Sequence, residues 1–305
     1  MNMNSDYQFN YYFQGPCDAT PVLFLHGFMG NSQVFQAAIS LLKDQFFCLA
    51  VDLPGHGKTQ VLGEDESYSM ANTALGLKSL LSELNLKQAY VVGYSMGGRL
   101  ALYLALNFPQ YFPKVVLESA SPGLQSSSAR KERIKRDRQL AEELVEGDFA
   151  EFITRWYQNP LFNSLIRQPK FPQLRAMRLE NNPLELAKSL QYLGTGTQPS
   201  LWSQLSKHNN PLLLLVGEGD HKFRNINQKM ANLCPTAQLK IVPNCGHNIH
   251  LENLEFFVDS VAKFFANRSV EKWKQSDNNQ VTEKCSPAPQ LPSSPSFPRI
   301  QIKSL

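Results

Sequence analysis

Ser95 stands in Gly93-Tyr94-Ser95-Met96-Gly97, between the β-branched run VVGY and the small-residue stretch MGGRLALYLAL. A GxSxG turn from strand to helix holds its serine in a strained backbone conformation, with the hydroxyl projecting at the helix N-terminus. A serine placed there needs a base, and the base needs an orienting carboxylate. His247 follows Gly246 in PNCGHNIHLEN and fits the base, while His250 is expected to pack at the start of a closing helix. The run LLLLVGEGD supplies Asp220 as the acid, with Glu218 as a nearer rival and Glu118, after an earlier strand, as the fallback position. In LFLHGFMG a loop follows Gly27, and the backbone amides of Phe28 and Met96 are the expected donors to a developing oxyanion. His26, at the strand end, is assigned to loop geometry rather than catalysis. Arg99 lies four residues beyond Ser95, one helical turn deeper on the same face. A buried cation needs an anion, so Arg99 is read as a substrate-carboxylate contact, the alternative being a salt bridge to an acidic residue of a covering segment.

These residues require a scaffold that brings several strand ends together. Tyr7 to Phe13, Pro21 to Leu25, Phe46 to Val51, Ala89 to Gly93 and Lys114 to Glu118 read as strands. Gln33 to Leu42, Met70 to Leu84 and Met96 to Asn107 carry apolar residues at helical spacing between them. That alternation implies an α/β protein with a mostly parallel central sheet flanked by helices. From Pro122 to about Asn210 the strand signal stops, and a polar, Arg-rich, Leu-periodic segment is broken at Pro160, Pro169, Pro172 and Pro183. The rhythm then resumes with Pro211 to Val216, a helix near Asn225 to Leu233, a strand from Gln238 to Val242 and a helix from Asn253 to Ala266. The expected organisation is a core of residues 1–121 and 211–267, an inserted helical cap of residues 122–210, and a disordered Pro/Ser-rich tail of residues 268–305.

The chain has 305 residues, 42% of them apolar, enough for a sizeable core without staples. Five scattered cysteines form no CxxC pair and no zinc-like spacing, so reduced thiols, a cytoplasmic setting and no metal are expected. No signal-peptide pattern and no membrane-length apolar run is present, so neither secretion nor membrane insertion is indicated. A net charge of +4 without an interleaved aromatic motif gives no reason to expect nucleic acid, and leaves a small anionic substrate open. The run DLPGHGKT is not a phosphate loop, because Asp52 occupies the position of the first Walker A glycine. Nothing indicates an obligate protein partner.

Beyond GYSMGGRLAL and LHGF, the segments SPGLQ, DRQLA, WYQNPLF, MRLENN, GEGDHKF and CGHNIHLEN closely resemble the 2-succinyl-6-hydroxy-2,4-cyclohexadiene-1-carboxylate synthase family, within the α/β-hydrolase superfamily. The similarity spans about Pro21 to Phe265. The resemblance implies an α/β-hydrolase fold with an inserted helical cap, a triad of Ser95, Asp220 and His247, and no cofactor. It places substrate-binding arginines at Arg99, Arg133 and Arg178, and pocket aromatics at Tyr94 and Trp156. An extra residue and two prolines, Pro169 and Pro172, between Phe162 and Arg178 leave Arg175 as an alternative to Arg178, and Trp156 could equally be cap packing. The implied activity is a lyase reaction of menaquinone and phylloquinone biosynthesis, in which pyruvate is eliminated from 2-succinyl-5-enolpyruvyl-6-hydroxy-3-cyclohexene-1-carboxylate. The competing readings are a serine hydrolase acting on a small carboxylate-bearing ester or C–C bond, and a catalytically silent binding protein.

Overall fold

Continuous apolar runs such as FFCLAV and LLLLVG suit strands buried on both faces, as a parallel sheet between two helical layers requires. The computed structural model describes residues 6–267. In chain order, β1 (Tyr7–Gln8), β2 (Tyr11–Gln14), β3 (Thr20–Leu25), α1 (Gln36–Leu42), β4 (Phe46–Val51) and β5 (Gln60–Val61) come first. They are followed by α2 (Met70–Glu83), β6 (Tyr90–Tyr94), α3 (Met96–Asn107) and β7 (Val115–Glu118). Four helices come next: α4 (Ser127–Glu146), α5 (Phe149–Tyr157), α6 (Phe171–Leu179) and α7 (Pro183–Tyr192). The chain then forms β8 (Leu212–Gly217), α8 (His221–Leu233), β9 (Ala237–Val242), the short α9 (Ile249–Glu252) and α10 (Leu254–Ala266).

Seven strands form one sheet in the order β2-β4-β3-β6-β7-β8-β9, parallel except for β2 at one edge. Val22 and Phe24 of β3 join one core layer with α1 and α10, while Leu23 and Leu25 join the other with α2 and α3. The chain builds outward from β3 to β4, then crosses back to β6 on the other side of β3. The crevice above such a reversal, at the carboxyl ends of β3 and β6, is where open α/β sheets bind ligands. His26-Gly27-Phe28 leaves β3 there, and Ser95 follows β6.

Two readings of the amino-terminal third change. The single strand expected at Tyr7 to Phe13 is interrupted at Asn10, whose backbone N–H donates to Thr59 Oγ1 at 2.9 Å and whose Nδ2 donates to Asp52 Oδ2 at 2.7 Å. Residues before the break leave the main sheet and pair with β5 as a small antiparallel ribbon. The helix expected from Gln33 opens as a 3-10 turn at Ser32–Phe35, capped by the Asn31 side chain, before α1 begins.

The helical insertion lies between β7 and β8, and its prolines start elements as well as ending them. Pro183 opens α7 behind the capping Asn182, and Pro160 opens a 3-10 turn behind Asn159. The insertion is tied to the core by buried polar contacts. Asn181 Nδ2 donates to Met29 O at 3.0 Å, Asn181 Oδ1 accepts from Gly57 N–H at 3.1 Å, and Arg178 Nη1 donates to Met29 O at 2.9 Å. No described helix is long and apolar enough to cross a membrane. The Pro/Ser-rich tail expected at residues 268–305 lies outside the described residues.

Candidate active site

Ser95 has φ 50° and ψ −104°, a left-handed conformation that a non-glycine residue adopts only where its surroundings impose it. They do so here from both sides. The Ser95 N–H donates to Glu118 O of β7 at 2.9 Å, and the Gly97 N–H donates to His26 O at 3.0 Å. Gly97 is so close to β3 that a Cβ there would stand 2.2 Å from Leu25 O. The small residues around Ser95 therefore let α3 press its first turn onto the end of β3. Ser95 is left partly accessible on the sharp turn.

His247 and Asp220 are both buried, and the three side chains form a hydrogen-bonded chain. His247 Nε2 is 3.0 Å from Ser95 Oγ, and His247 Nδ1 is 2.6 Å from Asp220 Oδ2. A proton on Nδ1 donates to the carboxylate, which leaves Nε2 to accept from the serine hydroxyl. Asp220 is held by its other oxygen, which accepts the Phe223 N–H at 3.2 Å and caps α8. Of the rival acids, Glu218 is exposed and accepts the Asn244 N–H at 3.2 Å, while Glu118 is engaged by His250. His26 is buried, takes the Leu53 N–H on Nε2 at 2.9 Å and donates from Nδ1 to Gly27 O at 2.8 Å. Burial pushes its pKa down to about 3, so it is a neutral brace for the loop. The amides of Phe28 and Met96 flank this end of the sheet, and neither donates to another group among the described residues.

The three arginines are not equivalent. Arg99 is buried and donates to Gln198 Oε1 at 3.1 Å and to Leu193 O at 2.9 Å, so it meets polar groups of the insertion rather than a carboxylate. Burial, followed by the nearby charge of Arg133, pushes its pKa down to about 10, which leaves it cationic at neutral pH. Arg133 on α4 is partly exposed and gives its Nε to Asp137 Oδ1 at 2.7 Å. Arg178 is buried on α6, with Nε donating to Tyr157 Oη at 3.1 Å and Nη1 to Met29 O at 2.9 Å. Arg175 is half-buried and bonds Thr154 Oγ1 at 3.1 Å, so of the two register alternatives only Arg178 is buried. Trp156 packs 5.2 Å from the Phe28 ring, and Phe162 lies 6.2 Å from the His247 ring, which brings the insertion over the relay. Tyr94 is buried edge-on to His247 at 5.4 Å and to His250 at 4.9 Å.

Residues 20–254 match the alpha/beta hydrolase fold family. A 2-succinyl-6-hydroxy-2,4-cyclohexadiene-1-carboxylate synthase of Enterobacter sp. (strain 638) is 36% identical over 236 residues, 76% of this chain and 86% of the relative. One from Escherichia coli O1:K1 is 35% identical over 242 residues, 79% of this chain and 92% of the relative. The chain belongs to the 2-succinyl-6-hydroxy-2,4-cyclohexadiene-1-carboxylate synthase family. The solved structure of MenH from S. aureus superposes with a TM-score of 0.80 at 34% identity, covering 84% of this chain and 97% of that one. The fold, with a helical insertion over a mostly parallel sheet, is that of the wider superfamily.

In this member of the family, two carboxylates brace the segment that carries His247 and His250, a role the sequence did not reveal for either. Glu252 accepts the Gly246 N–H at 2.7 Å with one oxygen and the Asn248 N–H at 3.1 Å with the other, gripping the backbone on both sides of His247. The signal was present in the acidic residue of GHNIHLE, five positions after the histidine, although spacing alone does not reveal which N–H groups it meets. Glu118, weighed only as a possible acid, accepts both the backbone N–H of His250 at 3.0 Å and its Nδ1 at 2.8 Å. Its own carbonyl holds the Ser95 N–H, so one residue of β7 ties the Ser95 turn to the segment carrying His247 and His250.

Proposed function

We propose that this protein eliminates pyruvate from 2-succinyl-5-enolpyruvyl-6-hydroxy-3-cyclohexene-1-carboxylate to give 2-succinyl-6-hydroxy-2,4-cyclohexadiene-1-carboxylate, a step of menaquinone or phylloquinone biosynthesis. The observation that carries the reading is the hydrogen-bonded Ser95, His247 and Asp220 chain lying under an insertion that contributes Arg133 and Arg178, with Arg99 one turn below the serine. Family membership supports the substrate. A substrate with several carboxylates gives the arginines a purpose that an apolar ester would not, since guanidinium groups bind carboxylates through paired donors.

In this reading Ser95, its hydroxyl drawn toward His247 Nε2, removes a ring proton adjacent to the succinyl carbonyl system. His247 takes up the resulting positive charge, and Asp220 stabilises it. The Phe28 and Met96 amides receive the developing enolate oxygen. A ring C=C bond forms as the C–O bond to the enolpyruvyl group breaks, and the proton returns to the departing enolpyruvate, which tautomerises to pyruvate. Tyr94 and Trp156 supply apolar walls. The test is pyruvate release by the wild-type protein and by Ser95→Ala and Arg133→Ala, with p-nitrophenyl acetate as the ester control. Rapid release lost in both variants, with little ester cleavage, supports the lyase. Fast ester cleavage without pyruvate means a serine hydrolase built on the same relay.

A further inference from the structure

Asp137 is a carboxylate buried in the middle of α4, and the relay does not use it. A charge in that position is unfavourable unless it is paired, and an aspartate is a poor helix former, so helix stability does not account for it. The order Arg133 then Asp137 at i, i+4 also runs against the more favourable acid-before-base arrangement along a helix. What the position does achieve is geometric. Oδ1 takes Arg133 Nε at 2.7 Å, while neither terminal nitrogen of Arg133 has a hydrogen-bond partner among the described residues. Oδ2 has none either and lies against Gly194, where a Cβ would come within 2.7 Å of it. The preceding residue, Leu193, gives its carbonyl to Arg99. One buried carboxylate therefore sits between the two arginines, fixing the inner nitrogen of one and abutting the turn that holds the other.

We propose that Asp137 is a positioning residue for substrate binding, holding the Arg133 guanidinium by Nε so that its two terminal nitrogens face a substrate carboxylate as a preformed pair. This rests on the proposed function for the identity of the anion. A neutral asparagine keeps an oxygen acceptor and tests orientation, whereas alanine removes both charge and acceptor.

The experiment measures kcat and KM for pyruvate release in wild type, Asp137→Ala, Asp137→Asn, Arg133→Ala and the Arg133→Ala/Asp137→Ala double variant, with thermal melts of each. Loss of one ordered side chain should raise KM in Asp137→Ala by about twofold to tenfold with a smaller change in kcat. Asp137→Asn should recover part of that loss, and in the Arg133→Ala background Asp137→Ala should add nothing further. A second arm titrates succinate against the arginine Nε–H resonances, where Asp137→Asn and Asp137→Ala should weaken the response of Arg133. A KM unchanged or lowered in Asp137→Ala overturns the proposal, as do effects of the two single substitutions that multiply in the double variant. If the wild-type protein releases no pyruvate, the proposed reaction fails, and the succinate arm alone decides Asp137: an unaltered Arg133 response in both variants overturns it.

Discussion

Replacing Gly97 by alanine should damage the chemistry more than its size suggests. The added Cβ would stand 2.2 Å from Leu25 O and 2.6 Å from His26 O, both backbone atoms that cannot swing away. Ordinary contact begins at 3.4 Å, so the first turn of α3 must retreat from the end of β3 by about 1 Å. The retreat breaks the Gly97 N–H bond to His26 O and moves Ser95 and the Met96 amide away from the Phe28 loop. A displacement of that size in an aligned site costs on the order of a hundredfold in rate. Overpacking of this kind also costs about 1–3 kcal/mol of stability. The assay is pyruvate release under saturating substrate, with a urea melt to show that the variant is folded. KM should change less than kcat, because Arg133 and Arg178 of the insertion do not rest on this turn, although Arg99 does. A folded Gly97→Ala protein with kcat within a few-fold of wild type would refute the reasoning that the elbow and the Phe28 loop are held in register by this contact.

Glu252→Ala removes the acceptor for the N–H groups on both sides of His247, so kcat should drop by about tenfold while Glu252→Gln, which keeps one oxygen, drops less; equal activity of all three would contradict the brace. Glu118→Ala leaves the buried His250 Nδ1 and backbone N–H without a partner and should cost about 3–5 kcal/mol in urea unfolding, more than Glu118→Gln. His26 is neutral in the fold, with a pKa of about 3 caused by burial, whereas the unfolded chain takes up its proton near pH 6.5. The unfolded state therefore binds more protons below pH 6.5, so the stability present above that value is lost as the pH falls toward 3, by roughly 1.4 kcal/mol per pH unit for this residue. Burial pushes His56 down as well, adding to the same acid loss, and a urea midpoint equal at pH 7 and pH 5 would contradict both. The buried thiols of Cys48 and Cys245 are pushed up to about 12 and about 11 by burial, so iodoacetamide at pH 8 should leave them intact until urea unfolds the protein, as read by peptide mass.

The parts of the site legible in the sequence are those governed by local rules. β6 and α3 are a β-branched run meeting a small-residue helix start, so Ser95 was placed on its turn by neighbours in the chain. Asp220 and His247 followed from chain order after β8 and β9, and His247 lies within hydrogen-bond reach of both Asp220 and Ser95. The strand break that Asn10 makes with Thr59 and Asp52 was not legible, because these partners are 49 and 42 residues away and the ribbon it creates has strands of two residues each. The same holds for Glu252 and Glu118, whose roles depend on backbone N–H groups that carry no sequence signature. Arg99 illustrates a middle case. Its position one turn below Ser95 could be read, but its partners, a glutamine side chain and a carbonyl from the insertion, could not. Arg175 and Arg178 differ only in which side of α6 they occupy, and packing against Tyr157 and Met29 decides it.

The proposed reaction has the Ser95, His247 and Asp220 chain remove a carbon-bound proton rather than form an ester. The most direct measurement compares pyruvate release from ordinary substrate and from substrate deuterated at the ring carbon that loses the proton, under single-turnover conditions. Proton removal by this chain should give a primary isotope effect on the single-turnover rate, absent from the residual reaction of Ser95→Ala. An identical rate for both substrates, accompanied by a covalent adduct on Ser95 in the mass spectrum, would contradict it.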